Sequence, residues 1–306
     1  MSKDTIRVQQ EVTTRCTQDC GFCPRQVIGR HRDLGDITPE MVDLVLERYA
    51  EVKEPLEVSI SGFGEPLLWP DIFRFIKTLK EMGIYVEMNS NATELTEKAS
   101  KLLIGYLDDL QVSLNVPNAE LFRKHKNSDT YDLVKKNLER FFELKGEQKP
   151  VTSLRFLSFP ETEPYIPQAL KEWAPMLGKG DGITVAQLEN WMGAIDESFF
   201  GVKYDYSNPD NLRIICGDLF GKYLTITKEG NTYACCFAVA LPPDYPTMLG
   251  NIKDYTIKDL LWSFKREAQY KAQQNQKYLN QCAVCSKIRI TPPSMRYVNP
   301  PEYYEG

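Results

Sequence analysis

Histidine is nearly absent: the 306 residues hold two, His31 and His125. Counting alone therefore speaks against a histidine-rich metal site or a Ser-His-Asp triad. No apolar stretch approaches the roughly 18 to 20 residues that span a bilayer. Met1-Ser2-Lys3-Asp4 leads straight into a strand-like segment, without the profile of a signal peptide. The expected location is the cytoplasm. Thirty-seven Lys and Arg stand against 42 Asp and Glu, a net charge of -5, with no basic block. The positive stripe of a nucleic-acid surface is missing, and no membrane partner is expected either. Internal repeats and low-complexity segments are absent too. The remainder is ordinary for a globular chain, 42% hydrophobic and 26% charged, and long enough to bury a large core.

Cysteine, in contrast, is plentiful. In a reducing cytosol, closely grouped thiols more often hold metal than form disulfides. Three of the eight fall in Cys16-Thr17-Gln18-Asp19-Cys20-Gly21-Phe22-Cys23, spaced C-x3-C-x2-C. Such a loop can wrap three corners of an iron–sulfur cube, leaving the fourth iron open to a small molecule. A zinc loop is the plainer alternative. The spacing, with Phe22 before the last cysteine, resembles the radical S-adenosylmethionine (SAM) enzymes. That resemblance implies a [4Fe-4S] cluster on Cys16, Cys20 and Cys23 whose open iron binds the amino and carboxylate groups of SAM. It also implies reductive cleavage of SAM to a 5′-deoxyadenosyl radical, and a reductant such as flavodoxin or ferredoxin.

Strand and helix patterns alternate along the first 190 residues. Strands are expected at Ile6 to Val12, Leu56 to Ser61, Tyr85 to Asn89, Leu110 to Val116, Ser153 to Phe159 and Ile183 to Leu188. Helices are expected at Thr38 to Glu51, Trp69 to Met82, Glu94 to Ile104, Tyr131 to Leu144 and near Gln168 to Leu177. Thr38-Pro39-Glu40 is a sound helix start and Gly83 a helix stop. Six such units argue for an α/β fold, a parallel sheet curled into a partial (βα)6 barrel, which the resemblance also implies. A small C-terminal α+β extension follows. The expected division is a barrel over 1–190, a linker over 191–215, a cluster-binding extension over 216–290 and a tail over 291–306. The tail would cap the barrel mouth or be disordered.

Barrels carry their chemistry at the C-terminal ends of the strands. After the second strand, Gly62-Phe63-Gly64-Glu65-Pro66 resembles the family's Gly-Gly-Glu-Pro motif, with Phe63 as a departure. Its glycines would let backbone approach a ligand, and Glu65 would accept hydrogen bonds from an ammonium group. Otherwise the stretch is a tight turn. By resemblance the motif lines the site for SAM's methionine amine. Ser90-Asn91-Ala92 closes the third strand where many family members carry Thr-Asn-Gly. On the fourth strand Ser113 and Asn115 share a face by alternation, either to hold the ribose or to satisfy one another. Arg155 would meet a carboxylate of SAM or substrate, or else pair with an inward acid such as Glu11.

The other cysteines are Cys216, Cys235, Cys236, Cys282 and Cys285. A hairpin is expected with strands Tyr223 to Thr227 and Thr232 to Cys236, turning at Lys228-Glu229-Gly230-Asn231. An amphipathic helix from Ile257 to about Gln273 and then C-x2-C follow. This order resembles the short single-cluster form of the SPASM domain, called twitch. By that resemblance Cys216, Cys235, Cys282 and Cys285 hold an auxiliary [4Fe-4S] cluster; a four-cysteine zinc site is the rival. Cys236 is then a spare thiol. It is either a small buried residue or a hydrogen-atom donor to a carbon radical.

The expected function is hydrogen abstraction from a small molecule, an aminosugar or aminoglycoside for instance, or from a peptide. Epimerisation with Cys236 as donor leads. Dehydrogenation is the alternative, with Glu189 or Glu161 as base, as in the twitch-containing 2-deoxy-scyllo-inosamine dehydrogenase. An iron–sulfur electron carrier or zinc adaptor is the rival outside the enzymes. The lack of an obvious leader-peptide-binding domain and the acidic charge tilt towards an amine-bearing small molecule.

Overall fold

The computed structural model describes residues 4–202, 216, 221–242, 246–286 and the backbone of 295–298. Its elements in order are β1 (Ile6–Gln10), α1 (Arg25–Ile28), α2 (Pro39–Ala50), β2 (Leu56–Ile60), α3 (Ile72–Glu81), β3 (Tyr85–Ser90) and α4 (Glu97–Leu103). Then come β4 (Asp109–Asn115), α5 (Ala119–Lys126), α6 (Tyr131–Lys145), β5 (Val151–Ser158), α7 (Ile166–Trp173) and β6 (Gly182–Gln187). The C-terminal part supplies β7 (Tyr223–Ile226), β8 (Asn231–Tyr233), β9 (Met248–Asn251), α8 (Ile257–Leu261), α9 (Phe264–Gln274), α10 (Asn280–Ala283) and β10 (Met295–Val298).

Helix starts follow local chemistry. Thr38 accepts from the Met41 amide with Pro39 in the first turn, and Thr96 accepts from Ala99. Strands β1 to β6 pair in parallel in chain order. One face of each strand is apolar: Val8, Val58, Val86, Val112, Leu154 and Ile183 are buried in one core with helix residues such as Val45, Phe75 and Phe141. Burying each large apolar side chain contributes roughly 1.5–3 kcal/mol. The other face is polar, with Gln9, Ser59, Glu87, Gln111, Ser153 and Arg155 half-buried along it. The N-terminal ends of the strands are tied by buried ion pairs. Lys145 meets Asp181 at 2.8 Å, and Asp181 also accepts from the Thr152 amide.

Several expectations are corrected. Within the expected tail, β10 pairs antiparallel with β6 at the sheet edge, and the rest of 291–306 lies outside the described residues. The hairpin's first strand, β7, pairs parallel with β1, so the ten-stranded order is β10-β6-β5-β4-β3-β2-β1-β7-β8-β9. Its second strand stops at Tyr233, after a register shift between Thr232 and Tyr233, so Cys235 and Cys236 lie beyond it. The expected helix from Ile257 is two helices, because the Ser263 side chain accepts from the Arg266 amide and caps a new helix that starts at Phe264. The helix α5, capped by Asn118 and ended by Asn127 at φ 48°, was not foreseen.

Candidate active site

The cysteine loop leaves the C-terminal end of β1 and is gripped by its neighbours mostly through backbone. The Gly21 amide donates to the His125 carbonyl (2.8 Å), and the Glu65 amide to the Arg15 carbonyl (2.8 Å). Gly64 shows why a glycine stands there. A Cβ would lie 2.4 Å from the Thr13 carbonyl oxygen and 2.6 Å from that of Arg15. A Cβ at Gly62 would strike the Glu11 side chain at 2.7 Å. Sequence reasoning gave these glycines to a ligand; the structure gives their missing side chains to the loop that carries the cysteines.

Glu65 is likewise used internally. Its carboxylate accepts from Ser90 Oγ (2.8 Å), the Asn91 amide (2.6 Å) and the Leu67 amide (3.2 Å), tying the ends of β2 and β3 together. Burial lifts its carboxyl to about 7 against these hydrogen bonds. Asn91 then reaches the cysteine loop, its Nδ2 3.5 Å from Cys16 Sγ and 3.1 Å from Thr17 Oγ1. Ala92 follows at φ 61°, the left-handed position that glycine serves at no steric cost.

The three thiols fit a cluster. No disulfide joins any of the eight cysteines, all of which are described. Burial pushes the Cys20 thiol up to about 11 and the Cys23 thiol up to about 12, with neighbouring sulfurs adding to it. Such a trio ionises when a cation takes the protons' place. Among the described residues no three Cys, His, Asp or Glu converge on one ion. A cube does not need convergence, because each sulfur meets a different corner. Cys16, Cys20 and Cys23 would hold it, leaving one iron for SAM.

Lys126 was missed. It is 1% exposed at the end of α5, and its Nζ donates to the Ser113 carbonyl (2.6 Å) and that of Leu114 (3.3 Å). Burial lowers its pKa, while the charges of Cys20, Cys16 and Glu65 oppose that. No motif flags it; the only signal was the basic run Arg123-Lys124-His125-Lys126 at a helix end. The β4 ladder slips between Ser113 and Asn115, with Asn115 at φ 66°. Both residues are half-buried, with buried Leu114 between them. Phe22 is buried, 6.3 Å from the Phe200 ring.

The suggested Arg155–Glu11 pair is not formed. Glu11 is held by buried Arg32, which also meets Glu229 at 2.8 Å. Arg155 instead feels the charges of Glu189 and Cys236. Glu161 is not placed as a base either. Hydrogen bonds from Lys124 and from His125 (2.8 Å) hold it below the usual carboxylate range, outside the polar strand face.

Cys236 opens a short 3-10 turn, Cys236–Ala240, that Cys235 Sγ caps by accepting from the Phe237 amide at 3.4 Å. It lines a small cavity with Gln9, Glu11, Phe63, Trp191 and Thr225, at the C-terminal ends of β1, β2 and β7. Trp191 bridges the two parts of the chain, its ring 5.4 Å from Phe63 and 4.6 Å from Phe237. Trp191, Met192 and Gly193 all have positive φ, a costly backbone run of the kind that gathers at functional sites.

In the C-terminal part, buried Gln273 accepts from the Cys216 amide at 2.9 Å and also bonds Cys282, which feels the charge of Cys216. Burial pushes the Cys282 thiol up to about 11. Asn190, at the end of β6, clamps the C-x2-C loop. Its backbone amide donates to Ser286 Oγ (3.0 Å), its Oδ1 accepts from the Ser286 amide (3.0 Å), and its Nδ2 donates to the Val284 carbonyl (2.7 Å). Ser286 Oγ also donates to Glu189. The sulfurs fit an auxiliary cluster by their thiol chemistry, with Cys216 and Cys282 on the buried Gln273 amide, Cys285 buried in the C-x2-C loop and Cys235 at the head of the turn.

The family model described as the Radical SAM superfamily matches residues 11–172, and the SPASM model, an iron–sulfur cluster-binding domain, matches 216–286. A probable GTP 3',8-cyclase of Thermococcus kodakarensis is 29% identical over 128 residues, 42% of this chain and 41% of that one. One of Halobacterium salinarum is 26% identical over 193 residues, 61% and 51%. The matches span about half or less of the length of these curated relatives. Among solved structures, BtrN in complex with AdoMet and 2-DOIA superposes with a TM-score of 0.60 at 16% identity, covering 94% of this chain and 95% of that one. Native anSMEcpe with bound AdoMet gives 0.65 at 16%, covering 94% and 92%. Streptococcus suis SuiB bound to the precursor peptide SuiA gives 0.64 at 13%, covering 94% and 70%. At such identities the likeness shows the fold, a partial barrel with a C-terminal extension.

Proposed function

The chain belongs to the radical SAM superfamily and carries a SPASM iron–sulfur domain, and from that premise we propose that it epimerises a carbon centre, with Cys236 returning the hydrogen. Held by Cys16, Cys20 and Cys23, a [4Fe-4S] cluster with SAM bound would supply a 5′-deoxyadenosyl radical, the agent for removing a hydrogen atom from a substrate carbon. Cys236 acts on the substrate radical that remains. Its S–H bond is weaker than a C–H bond, so it donates a hydrogen atom to the opposite face. The thiyl sulfur regains one electron and one proton, the electron from a low-potential reductant of the flavodoxin or ferredoxin class. Arg155 holds an anionic group of the substrate or of SAM beside that sulfur. The observation that carries the reading is the place of Cys236 in the cavity between Phe63, Trp191 and the ends of β1 and β7. The substrate proposed is an amine-bearing small molecule such as an aminosugar, or a peptide.

A second reading, dehydrogenation, is favoured by Glu189. This carboxylate receives Ser286 Oγ next to the C-x2-C loop and faces Arg155, where it would take the proton while the auxiliary site takes the electron. The test is turnover in deuterated buffer by the wild type and by Cys236→Ala, with aminosugars and peptides offered as substrates. Epimerisation gives product of unchanged connectivity carrying one solvent deuterium, and Cys236→Ala loses it. Fully epimerised, deuterated product from Cys236→Ala sinks the proposal. A product lighter by two hydrogens selects dehydrogenation.

A further inference from the structure

Within the cysteine loop, Gln18 has no part in the mechanism so far. Gln18 is 4% exposed, its Oε1 lies 3.9 Å from Cys20 Sγ, and its Nε2 is buried without a hydrogen-bond partner among the described residues. We propose that the Gln18 side-chain amide donates a hydrogen bond to Cys20 sulfur when that sulfur ligates the SAM-site cluster, and so sets how readily the cluster accepts an electron.

Two observations lead there. A buried amide nitrogen without an acceptor is a desolvation cost, which a protein keeps when something else supplies the acceptor. The contact to Cys20 also reverses on ligation. A thiol gives its hydrogen to Oε1, but a ligand thiolate has none to give and presents lone pairs instead. Half a turn of the amide, which leaves its volume unchanged, puts N–H on sulfur. The orphan donor and the new acceptor then satisfy each other.

The consequence is electrochemical. Reduction adds negative charge to the cluster, and a hydrogen bond to a ligand sulfur stabilises the more negative state, raising the potential. The inference rests on the cluster at Cys16, Cys20 and Cys23 and not on which reaction follows. A wild type that fails to epimerise leaves it standing.

The experiment compares wild type, Gln18→Met and Gln18→Glu as full chains with both clusters reconstituted. Reduced clusters are counted by electron paramagnetic resonance during a potentiometric titration. The SAM-site signal is recognised by its change when SAM is added, and the auxiliary cluster is the reference in the same tube. The expected result for Gln18→Met is a roughly tenfold smaller reduced fraction of the SAM-site cluster at fixed potential, about 59 mV for one electron. Gln18→Glu, whose carboxylate has no hydrogen to offer, falls at least as far, and the auxiliary cluster does not move. If Gln18→Met loads no iron at that loop, the shift in Gln18→Glu decides. An unchanged SAM-site potential overturns the proposal, as does an equal shift of both clusters. Loss of that loop's iron from both variants overturns it too, since the amide would then be building the loop.

Discussion

The two groups of cysteines are built on opposite plans. Cys16, Cys20 and Cys23 sit within one loop, gripped by backbone: the Thr13 and Arg15 carbonyls against Gly64, and the His125 carbonyl on Gly21. Cys216, Cys235, Cys282 and Cys285 are spread over about seventy residues of chain; the Gln273 side chain holds Cys216 and Cys282, and the Asn190 side chain holds the C-x2-C loop. The surroundings differ in charge as well. Cys20 feels the buried cation of Lys126, while Cys282 feels Cys216 and the neutral amide of Gln273. A site made by a short loop against backbone writes itself into a motif. A site assembled from distant strands depends on clamps with no motif at all.

The sharpest way to break this contrast is to remove a sulfur from each group. Cys20→Ala should abolish SAM cleavage to 5′-deoxyadenosine, a loss of about 100-fold or more, and leave about half the iron. Cys282→Ala should also lose about half the iron yet keep SAM cleavage within a few-fold. Chromatography of 5′-deoxyadenosine with iron and sulfide counts reads both, and equal losses of cleavage would erase the distinction. Next in size, Gly64→Ala forces a Cβ against two carbonyl oxygens that cannot yield cheaply. It should cost about 3 kcal/mol in urea unfolding and selectively empty the first group of iron. Asn190→Ala leaves the Ser286 amide and the Val284 carbonyl without their partner, a loss of about 2 kcal/mol. Its iron loss should fall on the second group; emptying of the first would show that the clamps are shared. The smallest effect belongs to the rings between the groups. A double-mutant cycle of Trp191→Leu with Phe237→Leu should give a coupling of about 1 kcal/mol. A value near zero would mean that the two halves touch there without supporting each other.

What the sequence made legible follows the same division. The alternation of strand and helix through β6 was readable because each unit carries its own period and caps, such as Thr38 and Gly83. The loop cysteines were readable because their spacing is local. Lys126 was not, since a buried cation reads as one more surface lysine until β4 and α5 are packed together. Cys235 was put on a strand because the residues before it alternate, and the shift at Thr232 and Tyr233 is a tertiary event. Arg155 was offered Glu11 as partner because nothing in the order of residues reveals that Arg32 reaches it first. The break at Ser263 had a visible sign, a serine three residues before Arg266, outweighed by a continuous amphipathic pattern.

The parallel seam between β1 and β7 has a consequence for anyone dissecting this chain. Arg7 and Glu11 amides donate across it to the Lys222 and Ile226 carbonyls. A fragment ended before Tyr223 would bare that row of donors and acceptors along β1, then an edge strand of the sheet and a template for sticking to other copies. Expression trials of the catalytic half alone should therefore yield aggregates, and the seam marks where scissors ought not to go.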